Sequence, residues 1–214
     1  MFLIGEIGGL VHVLEEFFDE WIARTTVHWR WNYEENQELL ALDAAYGDRE
    51  AADAMIVWGS KVCRATGVTS DIQKREAENE YHQIMAAAES QLQVTKYLLG
   101  DRPTALDCIF LAGLRAHFLY DPAPKRALVN KYPNVVHWVE SSADKWDGDG
   151  ALAELPESTP FAQFVLTQMR NTYLRTARRS RTAIRRLLFK CLVRMSAILH
   201  GHISSSPDRC LFHI

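Results

Sequence analysis

Proline and glycine are scarce in this chain, 7 and 11 of 214 residues. That excludes a collagenous sequence and points to long regular elements. Cysteine is also sparse. Cys63, Cys108, Cys191 and Cys210 are scattered, with no C-x-x-C, which argues against a disulfide scaffold. They read as free thiols in a reducing compartment, so the expected location is cytoplasmic. Long apolar runs are missing. The longest uncharged one, Cys108–Leu114, is far below the roughly 18 residues that span a bilayer. Residues 1–14 are apolar, but they lack a basic start and are interrupted by Glu6, which argues against a signal peptide. No Gly-rich phosphate loop, G-x-S-x-G or H-E-x-x-H is present.

What is present is globular. The chain is 48% hydrophobic and 24% charged, and its length suits one domain or one domain plus a tail. A chain of this size buries roughly 70% of its unfolded surface and needs no staples. Charge is uneven. Residues 1–169 carry 14 Lys+Arg against 26 Asp+Glu, net −12, and residues 170–214 carry 10 against 1, net +9. An acidic body therefore precedes a basic tail.

The periodicity is helical nearly throughout, and the expected class is all-α. Leu10, Leu14, Phe17, Phe18, Trp21 and Ile22 recur at steps of three and four. Leu39, Leu40, Leu42 and Ala45 predict a short helix, and Ala51 to Val62 another. Ser70-Asp-Ile-Gln73 is a capping box that predicts a helix over about 71–99, with Gly100 as its left-handed stop. Thr104 and Asp107 form an acidic capping box before a segment that is apolar almost all round, Ala105 to about Phe118. Such a helix belongs at the centre. Asp121-Pro122-Ala-Pro124 would end it. Tyr132-Pro133-Asn134 opens a short helix, and Thr159-Pro160 opens the last one of the body, with Phe161, Phe164, Val165 and Met169 inward.

The run Tyr97-Leu98-Leu99-Gly100-Asp101-Arg102-Pro103-Thr104-Ala105-Leu106-Asp107 resembles the cap of the central helix in the C-terminal domain of glutathione transferases. Tyr132-Pro133-Asn134-Val135-Val136-His137-Trp138 resembles that family's next signature. Phe17-Phe18-Asp19-Glu20-Trp21 with His28-Trp29-Arg30-Trp31 resembles the domain's first long helix. The likeness covers about residues 5–173. It implies an all-α helical bundle over residues 1–173; residues 174–214 have no family counterpart and read from their composition as a basic helical or disordered tail. It also implies glutathione as co-substrate, a small apolar electrophile as partner, and no further cofactor. In full members a thioredoxin-like domain precedes this one and carries the thiol-activating Tyr, Ser or Cys. The chain begins almost on the first helix of the second domain, so the expectation is a protein inactive alone, and no catalytic residue is assigned.

The substrate-binding candidates are Trp21, Thr25, His28 and Arg30. The first three share a helix face, and Arg30 would hold a carboxylate; the resemblance places this stretch at the electrophile pocket. Aromatic packing with an Arg on Trp is the structural alternative. Left without a second wall, the face around Trp21, Thr25 and His28 would be open and would drive self-association. Thr104 and Asp107 are read as a structural cap, against a catalytic carboxylate. No metal site is expected. Glu15, Glu16, Asp19 and Glu20 with His12 read as a solvated face, with Arg24 pairing to Glu20. His200, His202, Cys210 and His213 match no closed zinc framework. Cys108 is expected as a small buried hydrophobe. The tail carries an apolar stripe, Leu187, Leu188, Cys191, Leu192, Met195 and Leu199, with basic residues off it. That pattern suits nucleic acid, an acidic protein or an anionic surface and supports a non-catalytic interaction module as the second reading. A reading-frame change would produce the same abrupt charge swing.

Overall fold

The computed structural model describes residues 5–142, 145–155 and 157–179. The tail motifs, including the Leu187–Leu199 stripe and His200, His202, Cys210 and His213, lie outside the described residues.

Among the described residues the chain is all helical, with no strand. The first helix, α1 (Glu6–Trp31), buries Leu14, Phe17, Phe18 and Trp21 and leaves Glu16, Asp19 and Glu20 in solvent. Its like-charge i,i+4 pairs oppose an isolated helix, so tertiary burial holds it. The hairpin α2 (Glu34–Ala44) and α3 (Arg49–Thr66) follows, with Asp48 capping α3 and Gly67 closing it at φ +68°. Next comes α4 (Asp71–Leu92), opened by the Ser70/Gln73 capping box read from the sequence.

The helix α4 stops at Leu92, seven residues short of the expected end. Two observations explain this. The Thr95 hydroxyl donates to the Tyr97 carbonyl at 2.7 Å, drawing the chain out of helical register. The Leu98 amide is then claimed by Asp107 Oδ1 at 2.9 Å. Gly100 is not a helix stop. At φ +135° it lies against residues 151–153, and a Cβ there would meet the Ala151 carbonyl oxygen at 2.6 Å. Backbone bonds from Asp101 to Ala151 and from Ala153 to Leu99 fasten the two segments.

The central helix α5 (Ala105–Gly113) runs into a π turn at Leu114–Phe118. Leu106, Phe110, Leu114 and Phe118 point into the core, while Ala105, Cys108, Ala112 and Ala116 are exposed. The segment is therefore not buried all round, and Cys108 is a surface residue, not a core one. The outward residues are small, so their exposure costs little. Gly113 admits Ile22 of α1, whose Cδ1 lies 2.8 Å from where a Cβ would stand. Asp121-Pro122 ends this segment and also opens α6 (Pro122–Val129), with proline at the tolerated first position. The short α7 (Pro133–His137) is capped from outside, since Glu89 of α4 accepts the Asn134 and Val135 amides at 3.0 and 2.9 Å. The last helix, α8 (Pro160–Arg179), starts at Thr159, whose hydroxyl donates to the Leu98 carbonyl and accepts from the Ala162 amide. Phe161, Ala162 and Val165 are buried, with Phe164 and Met169 partly so.

Candidate functional site

Asp107 sits at the first turn of α5 and is 3% exposed. Its Oδ2 accepts from the Thr104 amide and hydroxyl, both at 2.8 Å, and its Oδ1 takes the Leu98 amide. Burial pushes the carboxyl above its ordinary range, and these donors pull it back. Its oxygens are engaged by groups of its own fold, so the geometry is that of a cap tying the 97–100 turn to α5.

The four residues read as a substrate site do not converge. Trp21 and Thr25 are 4% and 0% exposed. Trp21 stacks among Phe18, Tyr81, Phe110 and Phe118, and the Thr25 hydroxyl donates back to the Trp21 carbonyl at 2.7 Å. Arg30 is turned toward α6 and holds Asp121 with two bonds, at 2.9 and 3.1 Å, while also meeting His117 Nδ1 at 3.0 Å. Asp121 is 1% exposed. An Arg with a buried carboxylate already in its fork is not waiting for a substrate carboxylate. The expected open face around Trp21, Thr25 and His28 does not exist, because α4 and α5 cover it. Once covered, that face offers no apolar patch for self-association.

His28 is 1% exposed, and both its ring nitrogens are engaged. Nε2 lies 3.1 Å from Glu78 Oε1, which also accepts the Tyr33 hydroxyl at 2.7 Å. Nδ1 lies 3.1 Å from Asn32 Nδ2, and the same amide nitrogen lies 3.0 Å from the Val68 carbonyl. Burial holds the imidazole below its ordinary value, against the pull of Glu78. Arg24 pairs with Glu80 of α4, not with Glu20. Nothing in the sequence signals Glu78 or Asp121 as partners, because they lie 50 and 91 residues from His28 and Arg30; Asn32 is only four residues from His28 and was within reach of helical spacing.

Burial raises the Tyr33, Tyr81 and Tyr132 hydroxyls and the Cys63 thiol, so each keeps its proton at neutral pH. Among the described residues no cluster of three or more His, Cys, Asp or Glu stands where a metal ion would be held. His12 lies 3.7 and 3.9 Å from Glu15 and Glu16 in the open. Surface clefts lie elsewhere among the described residues. One of about 440 Å³ lies at the start of α8, beside Ser158 and Phe164. One of about 290 Å³ lies between the end of α4 and α7, beside Lys96, His137 and Trp138. Neither includes Trp21, Thr25, His28 or Arg30.

Residues 81–142 match the family model of the glutathione S-transferase C-terminal domain. This segment is glutathione S-transferase C-terminal in family. It runs from the middle of α4 through the Asp107 cap, α5, α6 and α7, so the domain's central helix and its cap lie within it. The helix α1 and the α2–α3 hairpin lie before it. No curated protein and no solved structure matches the chain. Among the described residues no helix is long and apolar enough to cross a membrane.

Proposed function

We propose that this chain is a glutathione-transferase-like protein whose described helices form the electrophile-side domain and do not themselves activate a thiol. The family match over residues 81–142 carries the reading. The chemistry of the domain supports its second half. Lowering a thiol pKa takes a donor or a positive dipole aimed at sulfur. Here the Tyr33, Tyr81 and Tyr132 hydroxyls already donate to Glu78 and to the Pro124 and His82 carbonyls, His28 has no free nitrogen, and Arg30 is already paired.

The experiment is conjugation of glutathione to a reactive aryl halide by the full chain. The expected rate does not exceed that in buffer. Clear turnover that disappears in His28→Ala, with folding retained, would place the chemistry in this domain and overturn the proposal.

A further inference from the structure

The contacts around His28 form an ordered chain whose direction is set at one end by a group that cannot change. The Val68 carbonyl only accepts, so the side of the Asn32 amide facing it at 3.0 Å is the NH2. The same nitrogen has a second hydrogen, and it lies 3.1 Å from His28 Nδ1. Nδ1 must then accept, which leaves the proton on Nε2, pointing at Glu78 Oε1. One backbone carbonyl thus dictates the tautomer of a buried histidine two bonds away. Val68 is fully buried in the linker between α3 and α4, so this chain also fastens the end of the α2–α3 hairpin to α1.

We infer that protonation of His28 at Nδ1 is a switch that unhooks the α3–α4 linker from α1 and loosens the α2–α3 hairpin while the aromatic core stays closed. A proton on Nδ1 sets donor against donor at Asn32. The amide relieves this by turning its oxygen to the ring, and it then has no hydrogen for the Val68 carbonyl, which is left buried and unpaired. The charged groups acting on His28 are Glu78 and Lys74 of α4 and Arg24 of α1; Tyr33 of the α1–α2 turn donates to Glu78, and the linker contributes only its carbonyl. Glu78 welcomes the second proton, whereas Lys74, Arg24 and burial resist it. Only a small apolar cluster joins the hairpin to α1 and α4, Cys63 of α3 with Trp31, Val68 and Ala77, so one lost tie matters there. This inference does not depend on the transferase reading.

Two measurements on the full chain test it. The first is nitrogen-15 NMR of the His28 ring at pH 7.5, where Nδ1 is expected bare and Nε2 protonated. A protonated Nδ1 at that pH overturns the inference whatever any variant does. The second is amide hydrogen exchange, corrected for intrinsic rates, at pH 7.5 and pH 5. Protection in α3 and residues 67–69 should fall by about tenfold relative to α5, the size of one buried hydrogen bond. The excess should vanish in His28→Gln. Hairpin protection that tracks α5, or an excess that survives in His28→Gln, overturns it.

Discussion

The helices α1, α4, α5 and α8 close on an aromatic core in which Phe18, Trp21, Tyr81, Phe110 and Phe161 stack or meet edge to face. The α2–α3 hairpin is held differently. It rests on the cluster of Trp31, Cys63, Val68 and Ala77 and on polar ties. Asn36 donates to the Trp29 carbonyl and accepts from the Ala123 amide, and Asn32 reaches Val68. Val57 and Trp58 on α3 stay 61% and 55% exposed. Apolar area is the main source of cohesion, so the two regions should open with different free energies and in a fixed order, hairpin first. The family match lies wholly in the body. Much of the apolar core falls within the matched segment, α1 and α8 complete it from outside, and the hairpin lies before it.

The largest expected effect comes from breaking the body. Phe110→Ala removes a 1%-exposed ring that meets Phe18, Trp21, Trp138 and Phe161. It should cost about 3–5 kcal/mol in chemical denaturation. Asp107→Ala comes next. It orphans the Leu98 and Thr104 amides at once and should cost about 1–3 kcal/mol, read as a lower melting temperature. An unchanged melting temperature would remove the cap from the account of the fold.

A substitution at Gly59 sharpens the contrast. Its Cβ would stand inside van der Waals contact of the Trp31 ring, in the small cluster. Gly59→Ala should cost about 1–3 kcal/mol of hairpin protection and leave α5 exchange near its original value. Equal loss of protection in both would show that hairpin and body are one cooperative unit.

The same contrast explains what was legible in the amino-acid order. Caps carried by neighbours in sequence were readable, as at Ser70/Gln73, Thr104/Asp107 and Thr159-Pro160. The end of α4 was not, because Asp107 and residues 151–153 draw off the 97–101 turn from a distance. The spacing of Trp21, Thr25 and His28 placed them on one face correctly, but spacing does not say what covers a face. Here α4 and α5 cover it, and Arg30, two residues beyond His28, looks toward α6. Cys108 shows the converse, where an apolar neighbourhood in sequence hid an outward position.

Acidification acts through three histidines of the body with one sign. Burial is the first cause lowering His28, His82 and His117, with Lys74 and Arg24, Lys131 and Arg30 adding to it respectively. Their folded pKa values therefore lie below the unfolded value of about 6.5, so the unfolded chain binds more protons. Their contribution is fully present above 6.5 and is lost as pH falls toward the folded values. Asp107 and Glu80 are raised by burial and act in the opposite direction. The melting temperature should thus fall from pH 7.5 to pH 6, and less steeply in His82→Gln. A flat profile over that window would mean these rings do not titrate differently in the two states.

The smallest effect belongs to the outermost tie between the regions. Arg126 of α6 donates from Nη1 to Glu35 Oε2 of α2 at 2.9 Å, and its Nη2 meets Oε1, so the pair is two-pronged. The side chains are 60% and 44% exposed, however. In that setting Coulomb attraction is weak, is screened by salt, and is offset by the entropy of holding two long side chains. Arg126→Ala should leave the melting temperature unchanged within error. Its trace should be a modest rise in α2 exchange at low ionic strength that fades as salt is added. The half-buried Arg30–Asp121 pair is the internal control, since its carboxylate is 1% exposed and salt should not erase its contribution. A drop in melting temperature for Arg126→Ala matching that for Arg30→Ala would mean the hairpin is bound to the body through this edge.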